Sequence, residues 1–451
     1  MAALDVARLI PELSATVVKV RAYAEKRRAE PTAASMLDPF AKHPWVSRRD
    51  TLDALRERDD PGARWLSSWV CSLLFARVLQ DAEINELAAR ETPSLEVELP
   101  RPERISFRTA TKRLVSTRER VVREQLARAV GQHAPRLAAE SRELWARRGD
   151  ISQRLGLPLE GTIALLDQDD SLSAIETLAK LVLRETHELW QSSIRGAGAD
   201  WHDVLVLGSG LEGDVGWPRL ISTSLLREWF GGEAGWLQIP PSIGSLPALL
   251  NGASFTRLLA RFGVRWADVN TSRSTPAALA SQPYSPARWI IGAAVAGLLT
   301  NRVFLSRAVG FSKGEIERTI RAQSMIELVA LRLSAARCLV RRALLLGDAR
   351  LAQRVATDAM CEALQRDVPS ELATVMPRLS LVDPTRLIAW GPAMSLSLEL
   401  RDSFDEDWFR NPRSVHELRD RFSKPSETTM ANEEVLSGLR ARFVSLHERL
   451  S

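Results

Sequence analysis

The feature that most limits the folds open to this chain is the period of its apolar residues, which is helical almost from end to end. Trp65, Trp69 and Leu73 recur one helical turn apart and mark a single buried stripe. Residues 1–90 read as successive amphipathic helices. Long helices are expected from about Thr109 to Arg148 and from Ser171 to Ser193, and helices dominate again from Ser285 to the end. In the second of these, Ser173 and Glu176 have capping-box spacing, and Ile175, Leu178, Val182, Leu189 and Trp190 follow the helical period. The longest apolar run, Trp289 to Leu299, has eleven residues. A membrane-spanning helix needs about 20, so this run is expected to be a buried helix. The fold class predicted is mainly α.

One stretch interrupts the helical text. In SLEVELPRPERISF, Leu95, Val97 and Leu99 alternate with charged residues, Pro100 and Pro102 intervene, and Ile105 and Phe107 alternate again. That pattern predicts a small β-hairpin near residues 94–108. A second stretch, 201–283, holds 10 of the 24 glycines and 5 of the 13 tryptophans, which predicts loops with short helices such as Ser224–Phe230 and Ser254–Phe262. The expected division is an N-terminal helical lobe (1–200), a Gly/Trp-rich connecting region (201–283) and a C-terminal helical lobe (284–451).

The connecting region begins WHDVLVLGSGLEGDVG, in which Gly208, Gly210 and Gly213 spell G-x-G-x-x-G behind the apolar run Val204 to Leu207. A dinucleotide site needs a strand feeding the first glycine and a helix starting at the turn. The run can supply the strand. Gly216 and Pro218 stop the helix, and no second strand leads to Glu233, the acid at ribose-binding distance. The stretch is therefore expected to be a connector, and no cofactor is expected.

Charge narrows the partners. The formal net charge is +5, with 54 Arg against 7 Lys, a balance that suits a GC-rich bacterial genome. Residues 101–154 carry 14 basic and 6 acidic side chains. Such a face can meet nucleic acid or an acidic partner, or it can be a solvated helix surface laced with pairs such as Glu119–Arg123 and Glu124–Arg128. No aromatic residue interleaves with the arginines between Phe107 and Trp145, so no base-stacking platform is present and nucleic acid is not an expected partner. Cys71, Cys338 and Cys361 form no C-x-x-C pair and read as buried reduced thiols. With no signal-peptide pattern and no membrane span expected, the reading is cytoplasmic.

The order of the pieces resembles the thimet-oligopeptidase and oligoendopeptidase group of zinc peptidases. Three segments carry the resemblance: PRPERISFRTATKRLVSTRERVVREQLARAV (100–130), with its I-x-[FY]-R motif; MIELVALRLSAARCLVRRALL (325–345); and IAWGPAMSLSLELRDSFDEDWFRNPRSVHELRDRF (388–422). The resemblance implies a two-lobed, multi-helical body with a central groove. It also implies zinc held by H-E-x-x-H, in which two histidines one turn apart bind the metal and the glutamate between them activates its water.

That motif is absent. Of His43, His133, His187, His202, His416 and His447, no two are four residues apart. His187-Glu188-Leu189-Trp190-Gln191 fails at the second histidine. By order, the zinc helix should fall near SPARWIIGAAVAGLLTNR (285–302), which has no His, Asp, Glu or Cys from Ser285 to Thr300. Glu315 and Glu317 stand where a third ligand would, and read as surface carboxylates. The tyrosines the group uses to stabilise an oxyanion are replaced by Trp390-Gly391-Pro392-Ala393-Met394-Ser395-Leu396-Ser397. No G-x-S-x-G occurs, and spacing does not favour a triad of Ser209, His202 and Asp203. Asp402 to Asp407 reads as a solvated turn rather than a calcium loop.

The expectation is a catalytically inactive, metallopeptidase-like binding protein, without metal or cofactor, that holds a peptide, protein segment or other ligand between its lobes. Trp289, Glu327, Arg332 and Trp390 are the candidate groove residues. Against that stand Trp289 and Trp390 as core aromatics, and Glu327 with Arg332 as an exposed pair. Two rival readings are a repurposed enzyme with a non-zinc site in the groove, and a partner-binding protein using the basic 101–154 face. The oligomeric state is not legible.

Overall fold

Among the described residues, helices form over the long stretches where the apolar stripes predict them. The computed structural model describes residues 5–29, 38–58, 61–98, 102–156, 171–210, 217–224, 248–270, 285–376, 378–423 and 430–451. In chain order the first elements are α1 (Val6–Ala29), α2 (Arg49–Arg56), α3 (Pro61–Val78), α4 (Gln80–Glu91), β1 (Pro93–Val97), β2 (Glu103–Ser106), α5 (Phe107–Ser116) and α6 (Arg120–Arg154). Next come α7 (Ser171–Glu185), α8 (His187–Ser193), α9 (Trp201–Leu207), β3 (Ile221–Ser222), β4 (Leu249–Leu250), α10 (Gly252–Asn270) and α11 (Ala287–Ala296). A 3-10 turn (Gly297–Thr300) and a π turn (Phe304–Ala308) lead to α12 (Lys313–Leu345), α13 (Ala349–Leu364), α14 (Ser370–Val375), α15 (Asp383–Phe404), α16 (Pro412–Ser423) and α17 (Asn432–Leu450).

The molecule is mainly α, as its periodicity predicts. β1 and β2 form the expected antiparallel hairpin, with Leu95 opposite Ile105 and Val97 opposite Glu103. A second pairing, Ile221 with Leu250, is too short to leave a pattern in the sequence.

Several expectations are corrected. The long helices expected from Thr109 to Arg148 are α5 and α6, and the break between them at residues 117–119, which the sequence did not place, is held by Arg123, whose guanidinium donates to the carbonyls of Thr117 and Arg118 and also pairs with Asp203. Because α6 starts at Arg120, Glu119 is its N-cap, and the pairing becomes Arg120 with Glu124 at 2.9 Å. The helix expected from Ser171 to Ser193 divides at Thr186, whose hydroxyl donates to the Val182 carbonyl at 2.7 Å. Glu176 serves no capping box: it pairs with Lys180 and Arg342. Val204 to Leu207 is helix α9, not a strand. Trp201, Val204 and Leu205 bury one face of it, a spacing too short for periodicity to separate from a strand. The expected Ser254–Phe262 helix lies inside α10, and all but the first residue of Ser224–Phe230 falls outside the described residues.

Three apolar clusters hold the described structure. One joins α1–α3 with Leu144 of α6. The largest joins the hairpin, α5–α9, the C-terminal two-thirds of α12, α13, α14 and α17. The third joins α10, α11, the start of α12, α15 and α16. α12 runs through two of them, with Ile316, Ile320 and Ile326 in one and Leu328, Leu331 and Ala335 in the other. It starts with a capping box in which Ser312 N–H donates to Glu315 Oε2 at 2.8 Å and the Glu315 N–H returns to Ser312 Oγ.

Two helix seams close through glycine. A Cβ on Gly263 of α10 would stand 2.7 Å from the Ile291 carbonyl oxygen, and one on Gly292 of α11 would stand 2.8 Å from that of Ala260. Gly391 of α15 and Gly438 of α17 meet backbone to backbone in the same way. Among the described residues, no helix is long and apolar enough to cross a membrane.

Candidate functional site

A cavity of about 720 Å³ lies where the largest cluster and the third approach one another. The end of α4 gives it Arg90 and Glu91, and α5 gives Phe107, Arg108, Thr111 and Val115. The α9 turn gives Leu205, Gly208 and Ser209, and α10 gives Thr256, Arg257 and Arg261. α12 supplies Ile326, Val329, Leu333 and Arg337, and Met360, Met376 and Arg378 complete the opposite wall.

The glycines of the G-x-G-x-x-G text shape this wall. Gly208 lets the chain approach α12 so closely that a Cβ there would stand 2.7 Å from Val329 Cγ1. Gly210 takes φ +59°, the left-handed region that favours glycine, with Ile326 and Trp217 packed against it. Ser209 accepts the Ala253 N–H at 3.2 Å through its carbonyl, which ties the turn to the start of α10. Gly213 lies outside the described residues. The motif works here as a packing turn after a helix.

The charge of the lining is one-sided: six arginines (Arg90, Arg108, Arg257, Arg261, Arg337 and Arg378) and one carboxylate, Glu91. Some of these cations are matched. Arg90 and Arg378 both pair with buried Glu86, and Arg108 pairs with Glu91 at 2.6 Å. Arg337 reaches Asp383 at 3.8 Å. Arg257 and Arg261 pair with no carboxylate among the described residues; the hydrogen bond of Arg257 is a 3.5 Å contact to Ser254 Oγ. Burial lowers the Arg257 guanidinium below its usual range, and neighbouring Arg261 lowers it further. Lys112, one residue past Thr111, is lowered first by burial and then by Arg108, with Arg257 and Arg261 adding to it.

A second concavity, about 1170 Å³, is an open groove along α7, the end of α12 and α13. Its charges are mixed, with Glu176, Glu185, Glu188, Asp358 and Glu362 facing Lys180, Arg184 and Arg342. His187 sits there with Nδ1 at 3.2 Å from Glu362 Oε1.

None of the four residues singled out from sequence lines either concavity. Glu327 and Trp390 come together through a residue the sequence reading missed, Arg442 of α17. Its Nη1 donates to Glu327 Oε2 at 3.2 Å, its Nε donates to the Trp390 carbonyl at 3.2 Å, and its guanidinium lies 4.8 Å over the Trp390 ring. Nothing in the sequence pattern separates Arg442 from the surface arginines around it. Glu327 and Arg332 are not an exposed pair: both are buried and have different partners. Arg332 donates to the carbonyls of Leu183, Glu362 and Ala363 and to Thr186 Oγ1, so it caps the ends of α7 and α13. Burial lowers it to about 10. Trp289 is half-buried against the third cluster, with Arg386 4.4 Å from its ring centroid.

The other candidate groups are occupied. Ser209 Oγ donates to the Val206 carbonyl at 2.6 Å, while His202 faces Asp203 at 3.5 Å. Burial pushes the Asp203 carboxyl up, but Arg123, His202 and Arg120 outweigh it and hold it below the usual range. Burial pushes the Cys71 thiol to about 12, which leaves it unreactive.

The residues present do not fit a zinc ion. Among the described residues, no group of three or more His, Cys, Asp or Glu side chains converges. α11 offers no His, Cys, Asp or Glu to a metal and packs its core face on α10. Glu315 caps α12, and Glu317 binds Arg302.

No family model matches the sequence, and no curated protein matches it. Solved structures do share its fold. A Chlamydophila abortus protein described as a peptidase superposes with a TM-score of 0.54 at 12% identity, over 95% of this chain and 82% of that one. Oligoendopeptidase F from Enterococcus faecium gives 0.51 at 10% identity, over 97% and 99%. PZ peptidase A with an inhibitor gives 0.53 at 12% identity, over 97% and 86%. At such identities the likeness is one of fold. It supports the multi-helical, oligopeptidase-like architecture.

Proposed function

We propose that this chain is a non-catalytic binding protein on an oligopeptidase-like frame, which holds its ligand in the arginine-lined cavity. The observation that carries the reading is the lining itself. Peptide hydrolysis needs an activated nucleophile or water, a base and donors for an oxyanion. The cavity has donors in abundance, no histidine, and a single carboxylate that Arg108 already holds. Its apolar floor and volume suit a ligand, since ligand sites commonly run to about 300–1,000 Å³. The lining draws on all three stretches of the chain, 90–115, 205–261 and 326–378, so a ligand there would bridge them.

About half of the basic side chains of 101–154 are matched by acids among the described residues, which weakens the rival reading of an exposed binding face. Arg120, Arg147 and Arg154 pair with acids one turn away, and Arg148 is buried against Glu83. The test is the metal content of the purified chain, run beside cleavage of a quenched-peptide library with added zinc. No stoichiometric metal and no cleavage is the expected result. One tightly bound zinc per chain with chelator-sensitive cleavage would overturn the reading.

A further inference from the structure

Resting on that reading, we infer that the cavity's ligand is an amphiphilic oxyanion: a carboxylate or phosphate held by Arg257 and Arg261, joined to an apolar body lying along Ile326, Val329 and Leu333. Arg257 and Arg261 sit one turn apart on α10 and line the same cavity. Like charges at that spacing destabilise a helix. Every other route to neutralising them is unused among the described residues, although the surrounding arginines are served: Arg90 and Arg378 by Glu86, Arg108 by Glu91. Lys112 of α5, close enough to Arg257 and Arg261 for them to lower its pKa, adds to the positive potential. A planar guanidinium binds an oxyanion through two parallel N–H donors, and two forks on one helix face can share a single group.

The rest of the wall selects the body. Ile326, Val329 and Leu333 follow one another down α12, and Phe107, Met360 and Met376 stand around them. A ligand that is all charge would leave this floor wet, and one that is all hydrocarbon would leave Arg257 and Arg261 unmatched. The volume of about 720 Å³ suits a small molecule.

The experiment is calorimetric titration of the full chain with octanoate, octyl phosphate, octanol and inorganic phosphate. At least one of the two octyl anions is expected to bind about tenfold or more tighter than either octanol or inorganic phosphate, since charge-assisted pairs supply the difference. Whichever anion is tighter identifies the head group as carboxylate or phosphate. The double substitution Arg257→Gln with Arg261→Gln is expected to erase the advantage over octanol. Arg257→Lys with Arg261→Lys, which keeps the charge, is expected to restore part of it, and Arg257→Gln alone serves if the double variant melts early. Octanol binding as tightly as the anions overturns the inference while leaving a ligand-holding cavity in place. Unchanged anion binding in the double variant, or no binding by any probe, also overturns it. Zinc-dependent peptide cleavage, in contrast, removes the underlying reading itself.

Discussion

The molecule uses arginine in two opposite ways. Around α17 and α7, Arg442 and Arg332 are buried with their donors engaged: Arg442 by Glu327 and the Trp390 carbonyl, Arg332 by three carbonyls and a hydroxyl. Around the cavity, Arg257 and Arg261 face space with no carboxylate to receive them among the described residues. A matched buried cation is part of the frame, because removing its partner strands a charge. An unmatched, exposed pair adds little to the frame and leaves a local positive field, screened by solvent, that an incoming anion would relieve further. Burial and partnering go together here: the matched pair is buried, while Arg257 and Arg261 are exposed and lack a carboxylate partner among the described residues.

The largest effect that could break this contrast is on the matched side. Glu327→Gln leaves Arg442 buried without its charge partner, so a loss of about 3–5 kcal/mol is expected in denaturant unfolding. Replacing Glu327 and Arg442 together by Met should recover much of it. A loss no greater than that of a surface pair would mean the cluster is solvated. Next in size is the glycine seam that brings Trp390 and Arg442 together. Gly438→Ala would drive a methyl into the Gly391 carbonyl, and roughly 1–3 kcal/mol is expected from the same measurement.

Acid should act through Asp203. Its folded pKa lies below the unfolded value near 3.8, so its stabilisation is complete above that pH and is lost as pH falls below it. Asp203→Asn should therefore flatten that part of the stability–pH curve. The smallest effect belongs to the unmatched side. Arg257→Gln with Arg261→Gln should leave the melting temperature unchanged or slightly raised, within about 0.5 kcal/mol, as one like-charge contact is relieved. A marked loss would show that these arginines are structural after all.

The helical class and the hairpin were legible because period and turn residues are local. Leu95, Val97 and Ile105 alternate as a paired strand must, and the Trp65 stripe repeats as a helix must. The absence of H-E-x-x-H was equally plain. Helix interruptions were not legible, because the breaks at residues 117–119 and at Thr186 depend on bonds made across the fold, Arg123 to Asp203 and Arg332 to Thr186. Val204 to Leu207 was misread because four apolar residues carry no resolvable period. Of the four candidate groove residues, Glu327 and Trp390 do share a cluster, but the arginine that joins them lies 115 positions from Glu327.

The sequence by itself thus determined most of the helical stretches, that the body is mainly α, and that one familiar metal motif is missing. Each of these is written in spacing along the chain. Only the tertiary structure decided which of 54 arginines are satisfied and which are left over. That is a matter of what stands opposite each side chain, and neighbours in space come from residues far apart in the chain.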